Sequence, residues 1–153
     1  MHIWGIDLSL VSTGIAIFDD HGNFISAETI KTSSKNTTQE RLRKIGDEIL
    51  VLLDKYPLGV AVLESSFTKF NKATQMIYRV HGVANYLLSD YEQIYYAPTT
   101  VKKVAGGSGR MDKDELRAMM EMEFGNVFSN TDESDAAAIG KCYFINRDGG
   151  NNG

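Results

Sequence analysis

Residues 2–19, His-Ile-Trp-Gly-Ile-Asp-Leu-Ser-Leu-Val-Ser-Thr-Gly-Ile-Ala-Ile-Phe-Asp, decide the fold, because they read as two short buried strands joined by a brief turn. Residues 2–8 form the first strand and 13–19 the second. Asp20, His21, Gly22 and Asn23 then supply hairpin-turn chemistry, and residues 24–30 (Phe-Ile-Ser-Ala-Glu-Thr-Ile) read as a third strand. Three strands in succession predict an antiparallel trio. Beyond them the periodicity changes. A polar stretch over 32–38 leads into a helix of about 18 residues, with Leu42, Ile45, Ile49, Leu52 and Leu53 at helical spacing and Pro57 and Gly59 as its stop.

Val60-Ala61-Val62-Leu63-Glu64 is a continuous apolar run closed by an acid, the pattern of a strand covered on both faces. A long helix over about 71–89 follows, then a short strand over 93–97. Pro98 opens a helical turn carrying Val101 and Val104, and Ala105-Gly106-Gly107-Ser108-Gly109 predicts a flexible loop. Helices over 113–124 and 132–145 close the domain, and residues 147–153 predict a disordered tail. The whole predicts one α/β domain over residues 1–146, a mixed five-stranded sheet whose first three strands are antiparallel, flanked by helices.

With 153 residues, 42% of them hydrophobic and 24% charged, the chain has room for a core and lacks the composition of a disordered or fibrous protein. No apolar run approaches the ~18 residues a membrane span needs, and no basic segment precedes the first strand as in a signal peptide. The single cysteine, Cys142, excludes an intramolecular disulfide and a multi-cysteine zinc cage, so a reducing cytoplasm is the expected setting. The net charge of −4 hides a segregation. Residues 65–111 hold six basic groups (Lys69, Lys72, Arg79, Lys102, Lys103 and Arg110) against two acidic ones, Asp90 and Glu92. A basic middle between acidic ends can supply a local anion-binding face, although ordinary surface variation produces the same asymmetry.

Four acids stand where a core pattern predicts apolar residues. Asp7 ends the first strand on the face of Ile3 and Gly5, and Glu64 ends the fourth on the face of Val60 and Val62. Both fall at the C-terminal ends of buried strands, where open α/β sheets place their ligands. Asp132 and Asp135 are spaced i, i+3 on a stripe that continues through Ile139 and Cys142, so they face the buried side of the last helix. Taken alone, Asp132 reads as an N-cap and Asp135 as a favourable first-turn acid. Glu64 likewise reads as a solvated strand end, but two strand-end acids with a helical pair favour a bound cation that offsets their desolvation, and an all-oxygen set selects Mg²⁺ or Mn²⁺ over zinc.

In that order the motifs resemble the RuvC-type Holliday junction resolvases, which have the ribonuclease-H-like fold. Gly5-Ile6-Asp7 with Thr13-Gly14 resembles the family's opening strand and turn, and Leu63-Glu64 with Phe67 its second acidic element. Tyr96-Ala97-Pro98 through Val101-Lys102 to Gly109 and Lys113 resembles its basic segment, and Asp132-Glu133-Ser134-Asp135-Ala136 its closing helix. The chain departs from the pattern after its first aspartate, where Leu8-Ser9 stands in place of Pro-Gly.

The resemblance implies a structure-selective endonuclease of recombination and repair, cutting four-way and related branched DNA in pairs to give 5′-phosphate and 3′-hydroxyl ends. It implies two Mg²⁺ ions per site, with Mn²⁺ as a substitute, held by Asp7, Glu64, Asp132 and Asp135. Lys113 would support cleavage. Phe67, Lys69, Lys72, Lys102, Lys103, Arg110 and Lys113 would meet DNA. The helix after Glu64 would form a homodimer, with Met76, Ile77, Val80 and Val83 as interface candidates, unless core packing claims them. A short phage-type member acting in the cytoplasm of a bacterium or infected host fits this pattern; no membrane is implied, and the sequence leaves any helicase partner open. The rival readings are another nuclease of the same fold acting on forks, flaps or RNA·DNA hybrids, and a non-catalytic junction-binding protein. A sugar-kinase-like or actin-like ATPase needs two copies of the fold, which this length does not hold.

Overall fold

The computed structural model describes residues 1–65, 71–106 and 110–149. Three antiparallel strands come first: β1 (His2–Asp7), β2 (Ser12–Phe18) and β3 (Phe24–Lys31). Helix α1 (Thr38–Lys55) leads to β4 (Leu58–Glu64), and α2 (Lys72–Leu87) leads to β5 (Glu92–Tyr96). Helices α3 (Pro98–Gly106), α4 (Lys113–Phe124) and α5 (Thr131–Gly149) complete the chain. The sheet order is β3-β2-β1-β4-β5, with β4 parallel to both β1 and β5.

Strand alternation sorts the side chains into two cores. On one face Trp4, Ile6 and Leu8 of the β1 segment meet Ile45, Ile49 and Leu52 of α1 and Val80 and Ala84 of α2. On the other, Ile3, Val60 and Val62 meet Val101 and Ala105 of α3, Leu116 and Met120 of α4, and Ala136 and Ile139 of α5. The central strands are covered on both sides, which is why β4 reads as an unbroken apolar run. Helix starts are fixed locally. Thr37 with Glu40 and Asp112 with Glu115 form reciprocal capping boxes on α1 and α4, each worth about 1 kcal/mol.

Two boundaries differ from expectation. Ala105 and Gly106 belong to α3 rather than to a loop, because Ala105 is buried in the core and prolongs the Val101 stripe by one turn. Helix α5 runs to Gly149, past the expected end at 145. Its last turn is held by Arg147, whose guanidinium donates to the Asp20 carbonyl at 2.7 Å and lies over the Phe144 and Tyr143 rings. Among the described residues no helix is long and apolar enough to cross a membrane.

Helix α5 seats on the sheet through two glycines. A Cβ on Gly5 would overlap the Ala136 carbonyl oxygen and the Gly140 backbone, and one on Gly14 would overlap the Asp132 carbonyl. Such contacts are between backbones, which cannot rotate out of the way as a side-chain tip can. Gly14→Ala is therefore expected to cost at least about 2 kcal/mol, seen as a fall of roughly 4–8 °C in melting temperature. An unchanged melting temperature would show that the helix can shift freely at this point.

Candidate metal centre

The acidic residues come together where the two ends of the chain meet. Asp7 closes β1, and the parallel register of Ile6 with Leu63 sets Glu64 beside it at the end of β4. The start of α5, lowered onto Gly14, brings Asp132 and Asp135 over the same edge. Asp7, Asp132 and Asp135 each offer an oxygen within 4.8 Å of the others, the one such cluster among the described residues. Glu64 is outside that trio but lines the same cleft as Asp7 and Asp135.

The electrostatics follow from this crowding. Burial, reinforced by Asp135, Glu64 and Asp132, pushes the Asp7 carboxyl up to about 8, against a smaller opposing pull from Lys113. Burial also raises Glu64, assisted by Asp135 and opposed by Lys102 and Lys113. Burial raises Asp135, with Lys113 opposing it at 3.3 Å. The same pair holds the Lys113 ammonium above its ordinary range. Three convergent carboxylate oxygens, one carboxyl held protonated near neutrality, could hold a metal ion, which would reverse the repulsion.

A hydroxyl holds one of the acids in place. Ser12 Oγ donates to Asp132 Oδ2 at 2.7 Å. The Leu8-Ser9 turn that departs from the family pattern is closed by its own side chains. Thr13 Oγ1 donates to the Ser9 carbonyl at 2.8 Å and accepts from Ser9 N at 3.1 Å, while Ser9 Oγ accepts from Val11 N at 3.2 Å. This turn sets Ser12 toward α5 at the start of β2.

Asp7 and Glu64 form a ridge between two clefts. The larger, about 470 Å³, is basic on its far side, where Lys102 of α3 and Lys113 of α4 face Asp135. The other, about 370 Å³, is lined by Asn71, Thr74, Ile77 and His81 of the α2 segment, and burial keeps the His81 imidazole below its usual range. Lys72, Lys103 and Arg110 are exposed and line neither cleft. Phe67 and Lys69 lie outside the described residues.

Core packing, the alternative for the dimer-face candidates on α2, claims some of them. Val80 is fully buried in the protomer core, and Val83 packs over Gly46 of α1. Ile77 lines the smaller cleft and Met76 is partly buried. An apolar spacing cannot tell one partner from two, and α2 spends one apolar face on the sheet and another on α1. Its outward face instead presents Tyr78, Arg79, Gly82 and Tyr86, with nothing within 4 Å of a Cβ built on Gly82.

Comparison with known proteins places this arrangement. The family model described as crossover junction endodeoxyribonuclease RuvC matches residues 3–143. A crossover junction endodeoxyribonuclease RuvC of Ehrlichia ruminantium (strain Welgevonden) is 34% identical, covering 94% of this chain and 96% of its own. The RuvC structure from Thermus thermophilus superposes with a TM-score of 0.82 at 22% identity over 97% of both chains. The same protein in complex with a Holliday junction substrate gives 0.82 at 20% identity, over 97% of this chain and 96% of that one. These likenesses show a ribonuclease-H-like fold.

Proposed function

The chain belongs to the RuvC family of crossover junction endodeoxyribonucleases, and on that premise we propose that it resolves four-way DNA junctions by divalent-metal-dependent hydrolysis of paired phosphodiesters. The observation that carries the reading is the meeting of Asp7, Asp132 and Asp135 from opposite ends of the chain, beside Lys113. A non-catalytic binder would have no use for buried carboxylates that repel phosphate.

Asp7, Asp132 and Asp135, with Glu64 at the same edge, would hold two Mg²⁺ ions, and Mn²⁺ would substitute. When bound, the cations supply neutralisation of the phosphate and acidification of the attacking water. The protein's own residues do the rest. Lys113, kept protonated by Asp135, sets a fixed positive charge at the cleft wall, where charge grows on the phosphate in the transition state. Lys102 on the same wall draws the backbone across the Asp7–Glu64 ridge. The other cleft, whose far wall carries Asn71, Thr74 and His81, would receive the neighbouring nucleotide. Lys72, Lys103 and Arg110, together with Phe67 and Lys69, would extend the DNA contact. A domain spanning residues 1–146 would be sufficient for this chemistry.

Two such sites acting on opposed strands follow from a homodimer, since a two-fold dimer matches the two-fold symmetry of a four-way junction. The exposed face of α2 suits that role. Tyr78 and Tyr86 are large exposed rings one turn either side of Gly82, a residue that costs about 1 kcal/mol in a helix interior relative to alanine and permits close approach.

The test is cleavage of an end-labelled synthetic four-way junction beside a linear duplex of the same arm sequence, with Mg²⁺ or with a chelator. Symmetric nicks in the junction alone, requiring Mg²⁺ and weakening at least about tenfold in binding between 50 and 200 mM salt, are expected. Equal cutting of the duplex, or tight junction binding without a cut, would defeat the proposal.

A further inference from the structure

Glu133 stands in sequence between Asp132 and Asp135, is only 5% exposed, and offers no atom to their cluster. A third carboxylate buried at the start of α5 is costly unless both oxygens are bonded. They are. Oε1 accepts from Thr29 Oγ1 of β3 at 2.8 Å, and Oε2 accepts from the Ser129 backbone N–H at 2.8 Å. Asn130 closes the ring: its side-chain amide donates to Thr29 Oγ1 at 2.9 Å, and its Oδ1 accepts from the Glu133 backbone N–H at 3.0 Å.

The position of this ring matters more than its existence. Thr29 is paired with Gly14 across β2 and β3, and Gly14 is the residue that lets the Asp132 carbonyl approach the sheet. The first turn of α5 is thus fixed at one point of the sheet by two means. Gly14 sets how near the helix comes. The Thr29–Glu133–Asn130 ring opposes its rotation about its own axis, which would swing Asp132 and Asp135 relative to Asp7. A helix cap alone needs only the Asn130 contact to the Glu133 N–H. The link to Thr29, 104 residues away, adds nothing to capping and ties the turn to the sheet.

We propose that Glu133 is a positioning residue for the metal centre, holding the first turn of α5 against Thr29 of β3 so that Asp132 and Asp135 converge on Asp7. The proposal rests on the reading of those three aspartates as the divalent-cation site. Ligand sets tolerate displacements of only about 0.5 Å, so a turn released from the sheet loses affinity even while it stays helical.

The test is calorimetric titration of Mn²⁺ into the DNA-free protein, below the melting temperature of every variant, with junction binding measured separately in chelator. Thr29→Val and Glu133→Ala are each expected to weaken Mn²⁺ binding about 10–100-fold. Thr29→Ser, which keeps the hydroxyl, is expected to stay within about twofold of wild type, and all are expected to bind the junction normally in chelator. Thr29→Val removes both hydrogen bonds of the Thr29 hydroxyl with little change of shape, so it carries the test should Glu133→Ala not fold. A folded Thr29→Val with wild-type Mn²⁺ affinity would overturn the positioning role and leave Glu133 a helix-capping residue. A wild type with no Asp7-dependent heat would overturn the cation site and this inference together.

Discussion

Asp7→Asn is expected to lower junction cleavage at least about 10³-fold, about 4 kcal/mol in the barrier, while junction binding in chelator stays at or above the wild-type level. Asp7 is the member of the cluster on which burial and like charges press hardest. It sits on the central strand, and Asp135, Glu64 and Asp132 all act on it. Asparagine keeps its shape but loses the charge that a divalent cation requires. Binding should survive because the basic wall of Lys102 and Lys113 is untouched, and one fewer carboxylate faces the phosphates. Quantitative cleavage of a labelled junction under single-turnover conditions checks the first half, and a mobility-shift titration the second. A variant that still cuts at more than a tenth of the wild-type rate would remove Asp7 from the machinery.

The same crowding makes the metal-free protein lose stability as the pH rises. An aspartate has an unfolded value near 3.9, whereas the folded Asp7 carboxyl is pushed up to about 8. Between those values the native state binds the extra proton. Its stabilising contribution is therefore fully present below the unfolded value and is lost as the pH rises to and through the folded one. Glu64 and Asp135 are raised as well and add in the same direction. In chelator the melting temperature is expected to fall by about 5–10 °C between pH 5.5 and 8.5. Mg²⁺ should restore much of that loss at pH 8.5, and Asp7→Asn should flatten much of the slope. A melting temperature in chelator that is level or rises over that interval would contradict the crowding.

Much of this centre is legible in the amino-acid sequence because its signals are local. An acid at the end of an apolar run, as at Asp7 and Glu64, is conspicuous against its own neighbours, and the i, i+3 spacing of Asp132 and Asp135 on the Ile139–Cys142 stripe needs only helical geometry. The antiparallel trio follows from two short turns, and the interior place of β4 from one covered run. What escapes is set by partners far away in the chain. Glu133 looks like one more first-turn acid until Thr29 is seen beside it. Val80 and Val83 look like an interface until α1 is found under Val83. Ala105 and Gly106 read as loop because glycines dominate the segment, while one buried methyl group is enough to keep the helix going.

The seating of α5 on Gly5 and Gly14 has a consequence for how the protein is made. Asp7 precedes Asp135 by most of the 153 residues, so the cluster they form closes a long loop. Contacts so distant in sequence form late and slowly. A nascent or prematurely ended chain that stops before α5 retains Asp7 and Glu64 but has no partner to complete the cluster. A copy in which α5 has not docked is therefore expected to lack cleavage, whatever DNA its basic wall still binds.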